Sequence, residues 1–205
     1  LKQRNSALKL GDISQARAYD EALVLNGEKL NELRFSLVKD TQAVYQELVQ
    51  SLVAENDRAK IFCEVTAELF PGYDSSIGLQ TDLNNSHAND LRRRSTIKGP
   101  HKADIIFESK GSLIKDKFSR GEQKLLSIIW SMSQNIMLGR VYNLNPILLL
   151  DDLSSELDSE MLECLLPALK YIENRFIFSN IVDLFGSKID DSTQKLKKFH
   201  VEQIT

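Results

Sequence analysis

A run of aliphatic residues that ends in paired aspartates constrains this chain more than any other feature. The run is Ile147-Leu148-Leu149-Leu150, and Asp151-Asp152 follow it directly. Such a run predicts a buried strand, and a buried strand with carboxylates at its end is typical of α/β domains that hydrolyse nucleotides. In those domains the carboxylates hold Mg²⁺ and polarise a water molecule. The chain is therefore expected to act on ATP or a relative, unless the aspartates only cap the next helix.

A Ser/Gly element upstream of this run is a second indication of phosphate binding. Its sequence is Lys117-Phe118-Ser119-Arg120-Gly121-Glu122-Gln123-Lys124, and it opens a long helical pattern. Free backbone N–H groups at the start of a helix, together with the helix dipole, favour a bound anion. Serine is also a preferred N-cap residue, so the element can equally be an ordinary helix start, and both interpretations can hold together.

No glycine-rich loop ending in Gly-Lys-Ser or Gly-Lys-Thr occurs between Leu1 and Thr205. A complete P-loop ATPase needs such a loop to hold the phosphates. The chain by itself is therefore expected to be inactive as an ATPase. Because it also begins without an initiator Met and within a helical pattern, we expect it to be the C-terminal part of a longer protein.

The composition is that of a soluble globular protein, with 42% apolar and 27% charged residues among 205. No apolar run approaches the roughly 20 residues that span a bilayer, and no signal-peptide pattern opens the chain. The two cysteines, Cys63 and Cys164, lack a metal-ligand spacing, so we expect buried free thiols in a cytoplasmic protein. The net charge of −3 favours neither the presence nor the absence of a nucleic-acid partner.

A helical arm is predicted for the first part of the chain. From Leu1 to about Leu69 there is no proline, and apolar residues recur at helical spacing. A bundle or hairpin is favoured over a long coiled coil because the apolar stripe is not a sustained heptad. Pro71-Gly72 ends this pattern, and the stretch through Asp90 is predicted to form one or two strands with a mobile loop at Asn84-Asn85-Ser86-His87.

A head domain of residues 91–205 is predicted to follow the arm of residues 1–90. Its strands and helices alternate, which predicts an α/β fold with a parallel sheet covered by helices. The first predicted elements are a hairpin of Ile105-Ile106-Phe107 and Ser112-Leu113-Ile114 around Lys110-Gly111, and a helix from Leu125 to Leu138 that stops near Gly139. The strand before Asp151 follows, and then a helix from Met161 to Tyr171 that Pro167 kinks or ends early. The last are a strand from Phe176 to Phe178 and weak strand character from Lys195 to Ile204.

Three segments occur in a characteristic order: Gly99 to Asp104, Phe118 to Lys124, and Leu148 to Asp158. Together they resemble the RecF family of bacterial recombination mediators, which are ABC-type ATPases related to the SMC heads. The similarity also includes the opening Leu1 to Asn5 and the helix around Tyr19-Asp20-Glu21, so it covers most of the chain. The resemblance implies a fragment of an ABC-type ATPase lobe preceded by a helical arm.

The resemblance also implies a mechanism in which Mg·ATP lies between two heads. One head supplies the P-loop and the carboxylates, and the other offers its signature loop to the γ-phosphate. In this chain the residues implied to contact the nucleotide in trans are Ser119, Arg120, Gly121 and Gln123. The serine hydroxyl would donate a hydrogen bond, the glycine would let backbone N–H groups approach closely, and the arginine would add positive charge.

The acidic residues of the third segment have separate implied roles. Asp151 is implied to bind Mg²⁺, directly or through water, and Asp152 to orient the attacking water as the base. Ser155 and Asp158 resemble the loop that crosses the dimer interface and couples one site to the other.

Two positions depart from the family pattern. Glu122 stands where RecF usually has Gln, although SMC-type heads carry Glu there. Ser179-Asn180 follow the strand from Phe176 to Phe178, where many ABC ATPases place a histidine that senses the γ-phosphate. Either hydrolysis is slow or another group takes over this step. The segment from Gly99 to Asp104 has no assigned role, and His101 is not expected to be catalytic.

By the same resemblance, the full-length protein is expected to form a homodimer with ATP and Mg²⁺ and to bind DNA at gaps or junctions. RecO and RecR are implied as partners in recombinational repair, DNA replication and the SOS response. Arg92-Arg93-Arg94 is a candidate DNA contact, but a solvated turn explains it equally well. Two other classes stay open: an SMC-like or overcoming-lysogenization-type ATPase with a structural arm, and a non-catalytic interaction fragment.

Overall fold

The structure is a computed structural model that describes residues 1–144, 146–150, 157–170 and 176–178, and it is a mixed fold of helix and sheet, as predicted. The helices are α1 (Lys2–Leu10), α2 (Ile13–Arg17), α3 (Asp20–Glu55), α4 (Leu79–Arg93), α5 (Ile114–Lys117), α6 (Arg120–Tyr142) and α7 (Ser159–Lys170). The strands are β1 (Val65–Phe70), β2 (Asp104–Ser109), β3 (Ser112–Leu113), β4 (Leu148–Leu150) and β5 (Phe176–Phe178), and 3-10 turns occupy Asp57–Phe62 and Pro100–Lys102.

The long helix α3 runs for 36 residues and is the main helix of the predicted arm. Its second half enters the main core, where Tyr45, Val49 and Leu52 are fully buried. It packs there against α6 and α7, and the Tyr45 ring lies 5.9 Å from the Trp130 ring of α6, with the two planes tilted by 51°. Burial raises the pKa of the Tyr45 hydroxyl, with the nearby Cys63 thiol as a second cause. The second half of α3 is thus held in the main core by apolar and aromatic contacts.

Strand β1 corrects the prediction of a helical pattern up to Leu69. Its residues Val65 and Leu69 are buried while the alternate positions Thr66 and Glu68 are exposed, which is the two-residue period of a half-buried strand. β1 pairs antiparallel with β2, and β2 with β3. The β1–β2 pair links the two sides of the predicted boundary at residue 90, and the division into arm and head stays a prediction.

Helix α4 corrects the prediction of strands and a mobile loop before Asp90. The predicted loop residues Asn84 to His87 lie inside this helix. Its inward face carries the polar residues Ser86, His87 and Asp90 beside Leu83, all of them buried. An apolar periodicity search misses a helix whose buried face is largely polar, because hydrogen bonds rather than apolar contacts hold that face.

The predicted hairpin is confirmed, with β2 and β3 joined by Lys110-Gly111. Both turn residues have positive φ angles, 53° and 70°, as a type I′ turn requires. Ile114, predicted to end the second strand, instead begins α5. The helix predicted from Leu125 extends over Arg120–Tyr142 and ends at a left-handed Asn143, not near Gly139.

Three further predicted elements of the head, two strands and a helix, are also present. β4 and β5 pair in parallel, which agrees with the predicted parallel sheet. The helix predicted from Met161 starts earlier, at Ser159, and continues past Pro167 to Lys170, so Pro167 does not end it early. Within the described ranges, no helix combines the length and apolarity that a membrane crossing requires. The predicted weak strand after Lys195 lies outside the described residues.

The segment from Gly99 to Asp104, which the sequence left without a role, is packed against backbone. The Gly99 N–H donates to the Gly72 carbonyl at 2.9 Å, and Arg34 donates to the Pro100 carbonyl at 2.6 Å. A Cβ atom on Gly72 would lie 2.1 Å from the Gly99 carbonyl oxygen and 2.7 Å from the Ala103 nitrogen. These contacts leave no room for a side chain at residue 72.

Gly72→Ala is therefore expected to destabilise the protein by at least about 3 kcal/mol, because it combines backbone strain at φ +86° with a clash against backbone that cannot rotate away. The matched control is Gly111→Ala, since Gly111 also has a positive φ, +70°, but nothing lies within 4 Å of its added Cβ. We expect a loss of about 1 kcal/mol for that control. Urea unfolding measures both, and equal losses would contradict the close approach.

Candidate nucleotide site

The Ser119 element forms the start of α6 in the structure. Ser119 is the N-cap, and its hydroxyl accepts a hydrogen bond from the Glu122 N–H at 3.3 Å. The Glu122 carboxylate in turn accepts from the Ser119 N–H at 2.7 Å, which completes a capping box. The interpretation of Ser119 as an ordinary helix cap is thus confirmed. It also gives Glu122, the departure from the family pattern, a role in holding the loop.

The cap leaves hydrogen-bond donors available at the same place. A hydroxyl can donate one hydrogen bond while it accepts others, and in the described part of the chain the Ser119 hydroxyl donates to no group. The Arg120 and Gly121 N–H groups at the first turn have no acceptor among the described residues. Ser119 and Arg120 are exposed and Gly121 is half-buried. These donors, with the dipole of the 23-residue helix α6, make the loop suitable for an anionic ligand.

Gln123 has a defined contact inside the loop. Its side-chain amide donates to the Phe118 carbonyl at 2.7 Å, which ties the first turn of α6 to the residue before the cap. On the other side, the Lys117 ammonium donates to the Ser109 carbonyl at the end of β2. Phe118 itself packs edge-on against Phe62, with ring centroids 5.8 Å apart. The loop is therefore held from three directions, and the nucleotide roles of its residues stay predictions.

The predicted catalytic carboxylates follow β4. This strand ends at Leu150 and is paired in parallel with β5. Asp151, Asp152 and Ser155 lie outside the described residues. In the part of the chain that is described, no group of three or more His, Cys, Asp or Glu side chains could hold a metal ion. The predicted Mg²⁺ site therefore rests on the sequence position of Asp151 after a parallel strand.

Asp158 is exposed and precedes helix α7. Its carboxylate accepts a hydrogen bond from the Met161 N–H at 2.8 Å, and its carbonyl accepts from the Leu162 N–H at 3.0 Å. These contacts make Asp158 the cap of α7. Its predicted place in a dimer-interface loop is a separate role that this geometry leaves available, since the second carboxylate oxygen accepts no hydrogen bond from the described residues.

The three arginines at positions 92 to 94 lie at the end of α4 and are exposed. Arg92 donates to the Asn89 side chain at 2.9 Å, and Arg94 is the left-handed cap residue. Basic side chains at a helix C-terminus are favoured by the helix dipole, so these residues have a structural role. DNA contact by Arg92, Arg93 and Arg94 stays a prediction.

A buried polar cluster was not foreseen from the sequence. Arg4, which has no exposed surface, forms ion pairs with Asp20 and Asp90, both at 2.7 Å. The Asp20 carboxylate also contacts the His87 ring at 2.8 Å. This cluster joins α1, α3 and α4, and the Thr96 hydroxyl accepts a further bond from Arg4. The sequence around Arg4 gives no sign that this arginine is buried or that its partners are Asp20 and Asp90.

Comparison with known proteins identifies the family. A family profile described as "AAA domain, putative AbiEii toxin, Type IV TA system" matches residues 61–179. The "DNA replication and repair protein RecF" of Coxiella burnetii is 30% identical over 185 residues, which are 88% of this chain and 49% of that protein. The RecF of Acinetobacter baumannii is 31% identical over an alignment of 207 residue positions, gaps included. That alignment covers 98% of this chain and 55% of that protein. The chain spans about half the length of the curated relatives it matches.

Two solved structures support the fold. The "recombination mediator protein RecF-ATPrS in RecFOR pathway" superimposes with a TM-score of 0.64 at 23% identity and covers 90% of this chain and 51% of that one. The corresponding RecF-ATP structure gives 0.58 at 22% identity, with 87% and 50% covered. The resemblance drawn from the three sequence segments is thereby confirmed. The chain belongs to the AAA-domain family that the profile describes, and it is RecF-like in sequence and has the fold of an ABC-type ATPase fragment.

Proposed function

We propose that this chain supplies the arm and the signature loop of a RecF-like ATPase that acts in DNA replication and recombinational repair. Two copies of the full-length protein would hold Mg·ATP between them, each offering its Ser119 loop to nucleotide bound by the other. The observation that carries the proposal is the exposed start of α6, where a serine hydroxyl and two backbone N–H groups have no acceptor among the described residues. Such donors match the oxygens of a γ-phosphate.

The division of labour follows from what the chain contains. It has no P-loop, so the phosphates must be held in cis by residues that this chain does not include. A signature loop is useful only against a second nucleotide-bearing head, and a two-fold pair supplies two reciprocal sites. Dimerisation on ATP therefore follows directly from the proposed role of Ser119.

The carboxylates after β4 complete the proposed site. Ligands of open α/β sheets bind at the carboxyl ends of parallel strands, and Asp151 and Asp152 follow the carboxyl end of β4 in sequence. We assign Asp151 to Mg²⁺, which would neutralise charge on the phosphate oxygens, and Asp152 to the attacking water. Ser155 and Asp158 would lie at the dimer interface.

The finer biological roles belong to the same proposal. DNA at gaps or junctions is the proposed nucleic-acid ligand, with Arg92 to Arg94 as candidate contacts, and RecO and RecR are the proposed protein partners. A cytoplasmic location and a part in the SOS response go with these roles. The support for them is the RecF-like sequence, together with the exposure of the three arginines at the end of α4.

Sedimentation of the full-length protein with Mg·ATP and with ADP tests the proposal. We expect a monomer with ADP and a dimer with ATP, because only the γ-phosphate reaches the loop of the second copy. Association that ignores the nucleotide would overturn the sandwich. A structural or interaction role, the alternative classes drawn from the sequence, would then explain the chain better.

Asp152→Asn is expected to trap the ATP-bound dimer. The amide keeps the size of the carboxylate but cannot take a proton from water, and a general base contributes about 10² to 10⁴-fold to a rate. We therefore expect turnover to fall by that order while the dimer persists in sedimentation with ATP. Turnover equal to that of the wild type would exclude Asp152 as the base.

A further inference from the structure

The 3-10 turn Asp57–Phe62, here called the arm-end turn, contacts both loops of the proposed dimer interface. It follows α3 directly: the Asn56 N–H donates to the Leu52 carbonyl at 2.8 Å, and the Asn56 side chain accepts from the Arg58 N–H at 3.0 Å. Ala59 and Phe62 are buried in the main core. The turn therefore continues directly from the arm helix, so a displacement of one is passed to the other.

The first contact of the arm-end turn is with the signature loop. The Phe62 ring packs edge-on against the ring of Phe118, with centroids 5.8 Å apart and planes at 71°. Phe118 directly precedes the cap residue Ser119, and its carbonyl is the acceptor for Gln123. The Phe62 carbonyl accepts from the buried Tyr45 hydroxyl of α3 at 3.0 Å. Phe62 thus joins the arm helix to the residue that begins the loop.

The second contact of the arm-end turn is with the start of α7. The Arg58 guanidinium forms an ion pair with the Glu160 carboxylate, and the two side chains are 53% and 55% exposed. Glu160 lies in the first turn of α7, whose cap is Asp158. The Arg58 charge also reaches Cys164 on the same helix, where it opposes the effect of burial, which raises the pKa of that thiol.

We propose that the arm-end turn sets the position of the Ser119 loop relative to the Asp158 segment, with Phe62 and Arg58 as positioning residues. The two residues are four positions apart on a 3-10 turn, which corresponds to a rise of about 8 Å. A shift of α3 along its axis would move both anchor points together. This inference rests on the proposed function, because it matters only if both segments face the second copy of the protein.

Hydrogen exchange on the chain without nucleotide tests the positioning separately from the proposed function. The variants are Arg58→Glu, the charge swap Arg58→Glu with Glu160→Arg, and Arg140→Glu as control. Arg140 pairs with Glu47 of α3 at similar exposure, 56% and 61%, and lies at the far end of α6 from Ser119. Exposed ion pairs are worth up to about 1 kcal/mol, so all variants are expected to fold.

For Arg58→Glu we expect exchange to become roughly fivefold faster in the first turn of α7 and also across residues 118–124, because the displaced turn carries Phe62 with it. The charge swap should bring both segments back to the wild-type rate, and Arg140→Glu should change neither. Faster exchange confined to α7, or a swap that fails to restore residues 118–124, would overturn the proposal.

Sedimentation of the full-length variants with Mg·ATP adds the functional consequence. If the proposed function is right, Arg58→Glu should weaken the ATP-dependent dimer roughly fivefold, and the charge swap should restore it. A wild-type protein that does not dimerise on ATP would count against the proposed function and leave the exchange result intact. A wild-type dimer that Arg58→Glu leaves unchanged would instead count against the positioning role alone.

Discussion

Ser119→Arg is expected to abolish ATP-dependent dimerisation of the full-length protein while the monomer binds ATP almost as the wild type does. The substitution removes the hydroxyl that we propose faces the γ-phosphate in trans, and it places a long side chain in front of the Arg120 and Gly121 N–H groups. In the proposed arrangement, other residues of the full-length protein hold ATP in cis, so ATP binding by the monomer should survive. Sedimentation with Mg·ATP and equilibrium binding of ATP by the monomer measure the two effects.

The structure complicates this test, because Ser119 is also the cap of α6. Loss of a serine cap costs about 1 kcal/mol, so a fall in dimerisation could come from a frayed helix. Two further variants separate the roles. Ser119→Thr keeps both the cap and the hydroxyl and should keep the dimer. Ser119→Asp keeps a cap acceptor for the Glu122 N–H but repels phosphate, and should lose the dimer.

These outcomes decide the assignment. If Ser119→Asp dimerises normally on ATP, the loop does not contact the phosphates and its serine is only a cap. If Ser119→Arg removes ATP binding by the monomer as well, the loop acts in cis or supports the fold. A contact made across the interface requires that Ser119→Arg and Ser119→Asp both lose the dimer while their monomers still bind ATP.

The sequence predicted best those elements whose local chemistry agrees with their place in the fold. The β2–β3 hairpin follows from Lys110-Gly111, because a two-residue turn with positive φ at both positions favours glycine. The start of α6 is predicted from Ser119 as a preferred N-cap residue, and the structure completes it with the reciprocal bond of Glu122. In both cases the decisive interactions lie within a few residues of each other.

The elements that the sequence missed are held by distant partners. α4 buries a polar face, on which Asp90 and His87 bind residues of α1 and α3 that are remote in sequence. Polar residues in this pattern predict an exposed loop unless those partners are known. The same limit applies to the candidate site. The contacts from the arm-end turn to Phe118 and Glu160 leave no signal in the sequence, whereas Ser119 and the aspartates after β4 form recognisable motifs.

The buried cluster around Arg4 gives the largest expected effect on stability. Its Nε atom donates to Asp20, and its Nη1 atom donates to Asp90 and to the Thr96 hydroxyl, each at 2.7 Å. The side chains of Arg4 and Asp90 are fully buried, and that of Asp20 is 7% exposed. The second oxygen of Asp90 accepts from the Ile97 N–H, so the cluster also fixes the backbone that leads to Gly99.

Arg4→Met is therefore expected to destabilise the protein by about 3 to 5 kcal/mol, because it leaves two carboxylates in the interior without their counter-charge. That loss is a large part of the free energy of unfolding of a typical domain, which is about 5 to 15 kcal/mol. Urea unfolding of the chain, followed by circular dichroism, measures it. The control Arg140→Met breaks the exposed pair with Glu47 and should cost less than about 1 kcal/mol.

The cause of the loss can be separated from a general failure of packing. Adding Asp20→Asn and Asp90→Asn to Arg4→Met removes the uncompensated charges but leaves the apolar replacement in place, so it should recover part of the lost stability. If the triple variant is no more stable than Arg4→Met, then packing, not charge, made Arg4 important. One Arg4 nitrogen, Nη2, is buried without a partner in the described part of the chain. The guanidinium is thus not fully hydrogen-bonded even in the wild type.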